Sequence, residues 1–308
     1  MTREPGRREL GLGLQTNKRP GAYAALARIA EDAGFAVVTT FNDLWFQPAL
    51  PALLEIAAAT ERVRVGPSCL NPYTLHPVEI AGQVAALDRA SGGRAFLGLA
   101  AGAWLGELGV EQERPLRTLR EAWEVVSRLL AGDRGGFVGE VFRLPAGAGL
   151  EYDVERTRVP LLIGTWSEGL TRFAAERADE LKLGGCANPA MVRLVREQLD
   201  AGGRDAGLVA GAVTVCDRDE ARAREHARRE VAMYLDVVAG FDETVDVEPG
   251  APVTDELLDL FAFAGSPERI AEHAEELFAA GATRVEFGTP HGLDERAGVE
   301  LLAGVVAD

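Results

Sequence analysis

Val63-Arg64-Val65-Gly66-Pro67-Ser68-Cys69-Leu70-Asn71-Pro72-Tyr73 opens the stretch that decides the fold, and Arg94-Ala95-Phe96-Leu97-Gly98-Leu99 closes it, before Gly102. Between them Pro77 to Ala90 is helical in pattern and is stopped by Gly92-Gly93. Short apolar runs flanking an amphipathic helix spell a βαβ unit with parallel strands. The loop from Gly66 to Pro77 leaves the C-terminal end of the first strand, and its prolines keep it from becoming helix. In parallel α/β folds, ligands bind at that end of the strands.

The same alternation runs outward in both directions. Strands are expected at Glu9–Leu14, Phe35–Thr40, Val63–Gly66, Arg94–Leu99, Val159–Ile163, Glu180–Leu183, Leu208–Cys216 and Arg284–Phe287. Helices are expected at Tyr23–Ala33, Pro51–Thr60, Pro77–Ala90, Pro115–Leu130, Glu168–Ala178, Pro189–Leu199, Asp219–Val238, from Ser266 to Gly281, and at Glu295–Val306. Eight strands alternating with helices over about 300 residues is the count for a TIM (β/α)8 barrel. A doubly wound open sheet is the alternative. No Gly-x-Gly-x-x-Gly follows the first strand, which weighs against a dinucleotide-binding domain. Residues 132–158 and 240–262 interrupt the rhythm and read as rim insertions or loops on a single domain spanning 1–308. In the first of them Phe137-Val138 and Val141-Phe142 could pair as a small hairpin.

The chain has 308 residues, with Lys plus Arg 32 against Asp plus Glu 48, a formal charge of −16. A protein this acidic has no general attraction for nucleic acid or anionic membrane. Its three cysteines, Cys69, Cys186 and Cys216, fit neither a metal motif nor a disulfide framework. A reducing cytoplasm is the expected compartment. The charged start, Met1 to Arg8, lacks the apolar core of a signal peptide, and no apolar run is long enough to cross a membrane.

P-loop, zinc-spacing and nucleophile-elbow signatures are absent from the sequence. Of four histidines, His226 and His273 sit in charged helices and read as surface. His76 and His291 follow strands on the ligand-binding face.

Taken together, several segments resemble the luciferase-like monooxygenase superfamily, in particular its branch similar to the deazaflavin-dependent methylenetetrahydromethanopterin reductases. They are Gly66 to Pro77, Leu87-Asp88-Arg89-Ala90-Ser91-Gly92-Gly93-Arg94 with the following Gly-rich strand, Pro115 to Ala122, Val159 to Gly164, and Gly265-Ser266-Pro267-Glu268. The resemblance implies an (α/β)8 barrel, a homodimer, and a flavin or coenzyme F420 held at the C-terminal mouth. It implies a non-prolyl cis peptide at Ser68-Cys69 pressing backbone against the coenzyme ring, with Cys69 a small packing residue. It places Leu70 and Asn71 beside that bulge. Gly98, Gly102, Gly164 and Thr165 offer close backbone approach, and Gly184 lies on the same rim. Ser167 and Glu168 open a helix whose N-terminus suits a phosphate. Asn42 and Asp43 compete for the acidic position after strand two. Asp43 or His76 would carry the proton.

Departures from the pattern bear on substrate. Gly13 stands where the methanopterin reductases carry a glutamate, with Gln15 nearby, and Trp45, Phe46, Trp104 and Trp166 crowd the expected mouth. The leading expectation is therefore an oxidoreductase passing a hydride between F420 and a small organic substrate. An FMN-dependent two-component monooxygenase and a non-catalytic cofactor- or ligand-binding barrel are the alternatives.

Overall fold

The computed structural model describes residues 8–248 and 250–306; the charged start of the chain, residues 1–7, lies outside them. In chain order its strands are β1 (Glu9–Leu14), β2 (Val37–Thr40), β3 (Arg64–Pro67), β4 (Leu97–Ala100), β5 (Phe137–Val138), β6 (Arg143–Leu144), β7 (Leu161–Gly164), β8 (Glu180–Gly184), β9 (Gly207–Cys216), β10 (Ala262–Gly265) and β11 (Arg284–His291). The helices are α1 (Ala22–Ala33), α2 (Ala49–Ala59), α3 (Pro77–Ala90), α4 (Pro115–Leu130), α5 (Glu168–Arg177), α6 (Pro189–Asp200), α7 (Glu220–Ala232), α8 (Leu235–Ala239), α9 (Asp255–Phe261), α10 (Pro267–Ala279) and α11 (Glu295–Val306).

Eight parallel strands run round the barrel in the order β3-β2-β1-β11-β9-β8-β7-β4. Bridges Val65↔Ala95 and Leu70↔Leu99 close β3 onto β4. Between those bridges β3 advances five positions while β4 advances four. The extra residue is taken up in a bulge, and there the Ser68-Cys69 peptide is cis, as the resemblance implied. The open sheet is thereby excluded.

The Asp88-to-Arg94 run is scaffold. Asp88 is buried and accepts from the Ala95 amide and, through both oxygens, from the Arg156 guanidinium. Ser91 caps the turn by accepting from Arg94 N–H. Arg94 in turn donates to the carbonyls of Ala57, Thr60 and Val63. These bonds satisfy the end of α2 and fix the entry to β4.

Four expectations need correction. The hairpin pairs Phe137–Val138 with Arg143–Leu144, not with Val141–Phe142. The reason is Glu121, whose carboxylate accepts the amides of Glu140, Val141 and Phe142 and so holds them as the turn. The long helix from Asp219 breaks at Met233-Tyr234, where Tyr234 donates its hydroxyl to Phe261 O. Residues 240–262 are not wholly loop: Thr254 caps α9, which buries Leu258 and Phe261, and β10 then pairs with the C-terminal half of β9. His273 is not a surface residue, since its ring packs on Phe263 and its Nε2 meets Ala187 O.

Candidate active site

Inside a parallel barrel alternate residues point inward, and here many of those positions are glycine. A β-carbon at Gly11 would meet Arg284 and Glu286, and one at Gly211 would meet Lys182 and Glu286. The missing side chains make room for charge. On the floor, fully buried Arg284 donates twice to Glu180 (2.9 and 2.8 Å), and Arg64 pairs with Glu180 and Glu9. One layer higher the Lys182 ammonium pairs with Glu286, and their side chains are 8% and 1% exposed. Thr39 Oγ1 donates to the same Glu286 oxygen at 3.0 Å. Burial pushes the Glu286 carboxyl up, but the Lys182 and Arg284 charges pull it down by more, so it lies below the ordinary carboxylate value.

The charge stack ends at the bulge. Lys182 Nζ donates to Ser68 Oγ at 2.8 Å and lies 5.3 Å from the centre of the Phe41 ring. Ser68 and Cys69 are partly exposed. The Cys69 sulfur sits where Gly98 and Gly164 lack side chains, and burial pushes its thiol up to about 11. A side chain that packs into that space is placed to fill it.

Beside the bulge, the Gln15 amide after β1 donates to Asp43 Oδ2 at 2.9 Å. Burial raises the Asp43 carboxyl above its ordinary value; the Gln15 hydrogen bond and the Lys182 charge lower it by less. Of the two residues competing for the acidic role, Asn42 is engaged elsewhere: its Oδ1 accepts from Ala49 N–H and starts α2. His76 is exposed, caps α3 by accepting from Val78 N–H at Nδ1, and stacks edge-on against Phe142. Neither of these partners is Asp43 or Ser68. His291 is buried, with Nε2 on Phe287 O and Nδ1 3.4 Å from Glu295.

The other candidate positions divide between scaffold and rim. Leu70 exchanges backbone bonds with Gly98 and Ala100, and Asn71 Oδ1 accepts from Tyr73 N–H, Thr74 N–H and the Thr74 hydroxyl. Gly102 has φ +90° and packs against Asn71. Thr165 Oγ1 accepts from Ser167 N–H, and Ser167 Oγ accepts from Leu170 N–H to cap α5. Glu168 pairs with Arg172 across one helical turn. A side chain at Gly184 would enter open space, and Gly184 O accepts from Trp166 Nε1.

Two rim tryptophans have left-handed backbone: Trp45 at φ 69° and Trp104 at φ 56°, 74% and 47% exposed. Trp45 Nε1 donates to Glu107 in the 3-10 turn Leu105–Leu108, which begins at Trp104.

Lys182 and Glu286 escaped the sequence reading. Their signal was present: a charge flanked by apolar neighbours, Leu181/Leu183 and Val285/Phe287, inside strands that a parallel barrel buries on both faces. Two such opposite charges need each other. Among the described residues no group of His, Cys, Asp and Glu could hold a metal ion, and no helix is long and apolar enough to cross a membrane.

The sequence profile of the luciferase-like monooxygenase family matches residues 6–284. The 5,10-methylenetetrahydromethanopterin reductase of Archaeoglobus fulgidus is 30% identical, over 89% of this chain and 91% of its own. The F420-dependent glucose-6-phosphate dehydrogenase of Kineococcus radiotolerans is 27% identical, over 93% and 92%. In structure, the coenzyme F420-dependent tetrahydromethanopterin reductase of Methanopyrus kandleri superimposes with a TM-score of 0.86 at 24% identity, over 96% and 97%. The chain belongs to the luciferase-like monooxygenase family.

Proposed function

We propose that this protein is an F420-dependent oxidoreductase acting on a small organic substrate. The observation that carries the reading is the convergence, at the C-terminal ends of β1, β2 and β3, of Asp43 with its raised carboxyl and the partly exposed Ser68-Cys69 bulge. The F420 dependence named for the Kineococcus relative supports the choice of coenzyme.

Bound there, the coenzyme would supply hydride-transfer chemistry through its deazaflavin ring. This chain's own residues do the rest. The backbone of Ser68-Cys69 would back the ring, Gly184 would leave clearance for it, and Thr165 with Ser167 at the start of α5 would hold its phosphate-bearing tail. Asp43 holds or takes the proton that accompanies the hydride; a raised carboxyl suits that work better than an ordinary one. Gln15 keeps Asp43 in place. The aromatic rim of Trp45, Phe46 and Trp104 excludes water and favours an apolar substrate. With no side chain at Gly13, a pterin substrate is not assigned. On this reading the protein works as a homodimer in a reducing cytoplasm, which suits its three free cysteines.

Fluorescence titration of one apo preparation with F420 and with FMN tests the proposal. Selective, tight binding of F420 is expected. Selective binding of FMN would transfer the protein to the monooxygenases, and binding of neither would remove the enzyme assignment.

A further inference from the structure

Lys182 sits between fully buried Leu181 and Leu183, inside the barrel, where an ion without partners would be costly. Glu286 neutralises it, and Glu286 is held in turn by Thr39 Oγ1. Were this the whole story, the pair would only fill the space left by Gly11 and Gly211. The Lys182 ammonium goes further and reaches Ser68 Oγ across 2.8 Å, linking β8 to the bulge after β3.

The chemistry of that bond sets a direction. A lysine ammonium carries donors only, so Ser68 Oγ accepts, and the hydroxyl hydrogen must point away from Lys182. Ser68 is partly exposed, and the neighbouring group within reach of its hydroxyl is the Cys69 sulfur, a weak acceptor. A hydroxyl that accepts from a buried cation is polarised and becomes a better donor, because successive hydrogen bonds strengthen one another where the dielectric is low.

We propose that Lys182 is a positioning residue: anchored by Glu286, it fixes the Ser68 hydroxyl as a one-way donor to an acceptor atom of the coenzyme bound against the bulge. The inference rests on the F420 reading above. It goes beyond that reading by assigning a task to two barrel residues that touch no ligand themselves.

The test is a double-mutant cycle read in coenzyme affinity. F420 is titrated by fluorescence into apo wild type, Ser68→Ala, Lys182→Met and the double variant, with urea unfolding of each in parallel. S68A is expected to weaken binding about tenfold, the size of one lost hydrogen bond. K182M is expected to weaken it by a similar factor. The deciding comparison is S68A against S68A/K182M: their affinities should be equal, while urea unfolding shows Lys182 costing less to remove in the S68A background, where its bond to Ser68 is already gone. A purely structural Lys182 would weaken binding again in the S68A background, and K182M binding like wild type would equally overturn the proposal. If K182M does not fold, Lys182→Met/Glu286→Leu removes both charges at near-constant volume. Its affinity should match that of S68A, and wild-type affinity would overturn the proposal. Failure of wild type to bind F420 would remove the functional reading and this inference together. Wild-type binding with unaltered variants removes the inference alone.

Discussion

The side-chain amide of Gln15 donates to the Asp43 carboxylate across 2.9 Å, joining the loops that follow two neighbouring strands, β1 and β2. This bond opposes the burial that raises the Asp43 carboxyl. Asp43→Asn should lower kcat/KM by about a hundredfold to ten-thousandfold, the usual contribution of a general acid or base. It should also abolish the limb of the pH profile that this carboxyl sets, the acidic one where Asp43 takes the proton. Gln15→Leu keeps the carboxyl but removes a bond to its charged form, so that limb should move to higher pH. Stability follows the same sign. A carboxyl raised by folding favours the native state at low pH, and that contribution is lost as pH rises through the folded value. D43N should therefore gain on wild type in urea midpoint as pH rises.

Arg156 reaches from the insertion before β7 to grip Asp88 with two nitrogens (3.0 and 2.5 Å) and the Ala95 carbonyl with one. Breaking a pair with one buried member leaves that charge unmatched. Because the Arg156 side chain is 34% exposed, Arg156→Ala should cost about 2–3 kcal/mol in urea unfolding rather than the full cost of a dry pair. Coenzyme affinity should be unchanged, since the pair lies at the N-terminal end of β4.

What the sequence reveals here depends on whether a feature is local. The end of α3 is legible because Ser91 and the two turn glycines act within a few residues of one another, whereas the anchoring of α2 by Arg94 spans more than thirty residues and is not. The eight barrel strands are legible because burial on both faces leaves apolar runs. β10 is not: Ala262-Phe263-Ala264-Gly265 carries little β propensity, and it becomes a strand only because the free end of β9 offers hydrogen bonds. The Lys182–Glu286 pair joins residues 104 apart in the chain, so each half alone looks like a polar face of an ordinary strand. His76 has a second, local role. Its position in a loop after a strand fits a site, but a residue immediately before a helix is first of all a cap.

Two glycines near the mouth should respond in opposite ways to the same added methyl. A β-carbon at Gly98 would land on Pro67 O and lie 3.1 Å from the Cys69 sulfur, so backbone on both strands must move. Gly98→Ala should cost more than about 3 kcal/mol, as overpacking against backbone does, and should disturb the bulge. At Gly184 nothing lies within 4 Å. Gly184→Ala should leave the urea midpoint within error of wild type while weakening F420 binding, because the methyl occupies space proposed for the coenzyme.

Glu31, at the end of α1, accepts the backbone amides of Glu61, Arg62 and Val63 and so ties α1 to the approach of β3. Burial raises its carboxyl, but those three amides and the Arg62 charge lower it by more. The sign is the reverse of that at Asp43. A carboxyl lowered by folding stabilises the native state above its unfolded value, and the contribution is lost as pH falls through the folded one. Glu31→Gln should cost about 1–3 kcal/mol near neutral pH. The gap from wild type should narrow as the pH is taken below about 4, where wild type also loses the charge.

Trp45 holds a left-handed backbone that a bulky residue adopts only under constraint, at a cost of about 1–3 kcal/mol. The constraint is the indole N–H bond to Glu107 at 2.9 Å, which ties the loop after β2 to the 3-10 turn after β4. An exposed tryptophan kept at such a cost points to use rather than packing. Trp45→Gly suits the backbone, so its thermal midpoint should equal or exceed that of wild type. If the ring lines the substrate's path, the same variant should raise substrate KM about tenfold, with F420 affinity unaltered, since the coenzyme is proposed to bind against the Ser68-Cys69 bulge and the start of α5 and not on Trp45. Glu107→Gln keeps an acceptor for the indole and should fall between the two. An unchanged KM in W45G, measured with any substrate the enzyme reduces, would assign the tryptophan to loop architecture and leave selectivity to Phe46 and Trp104.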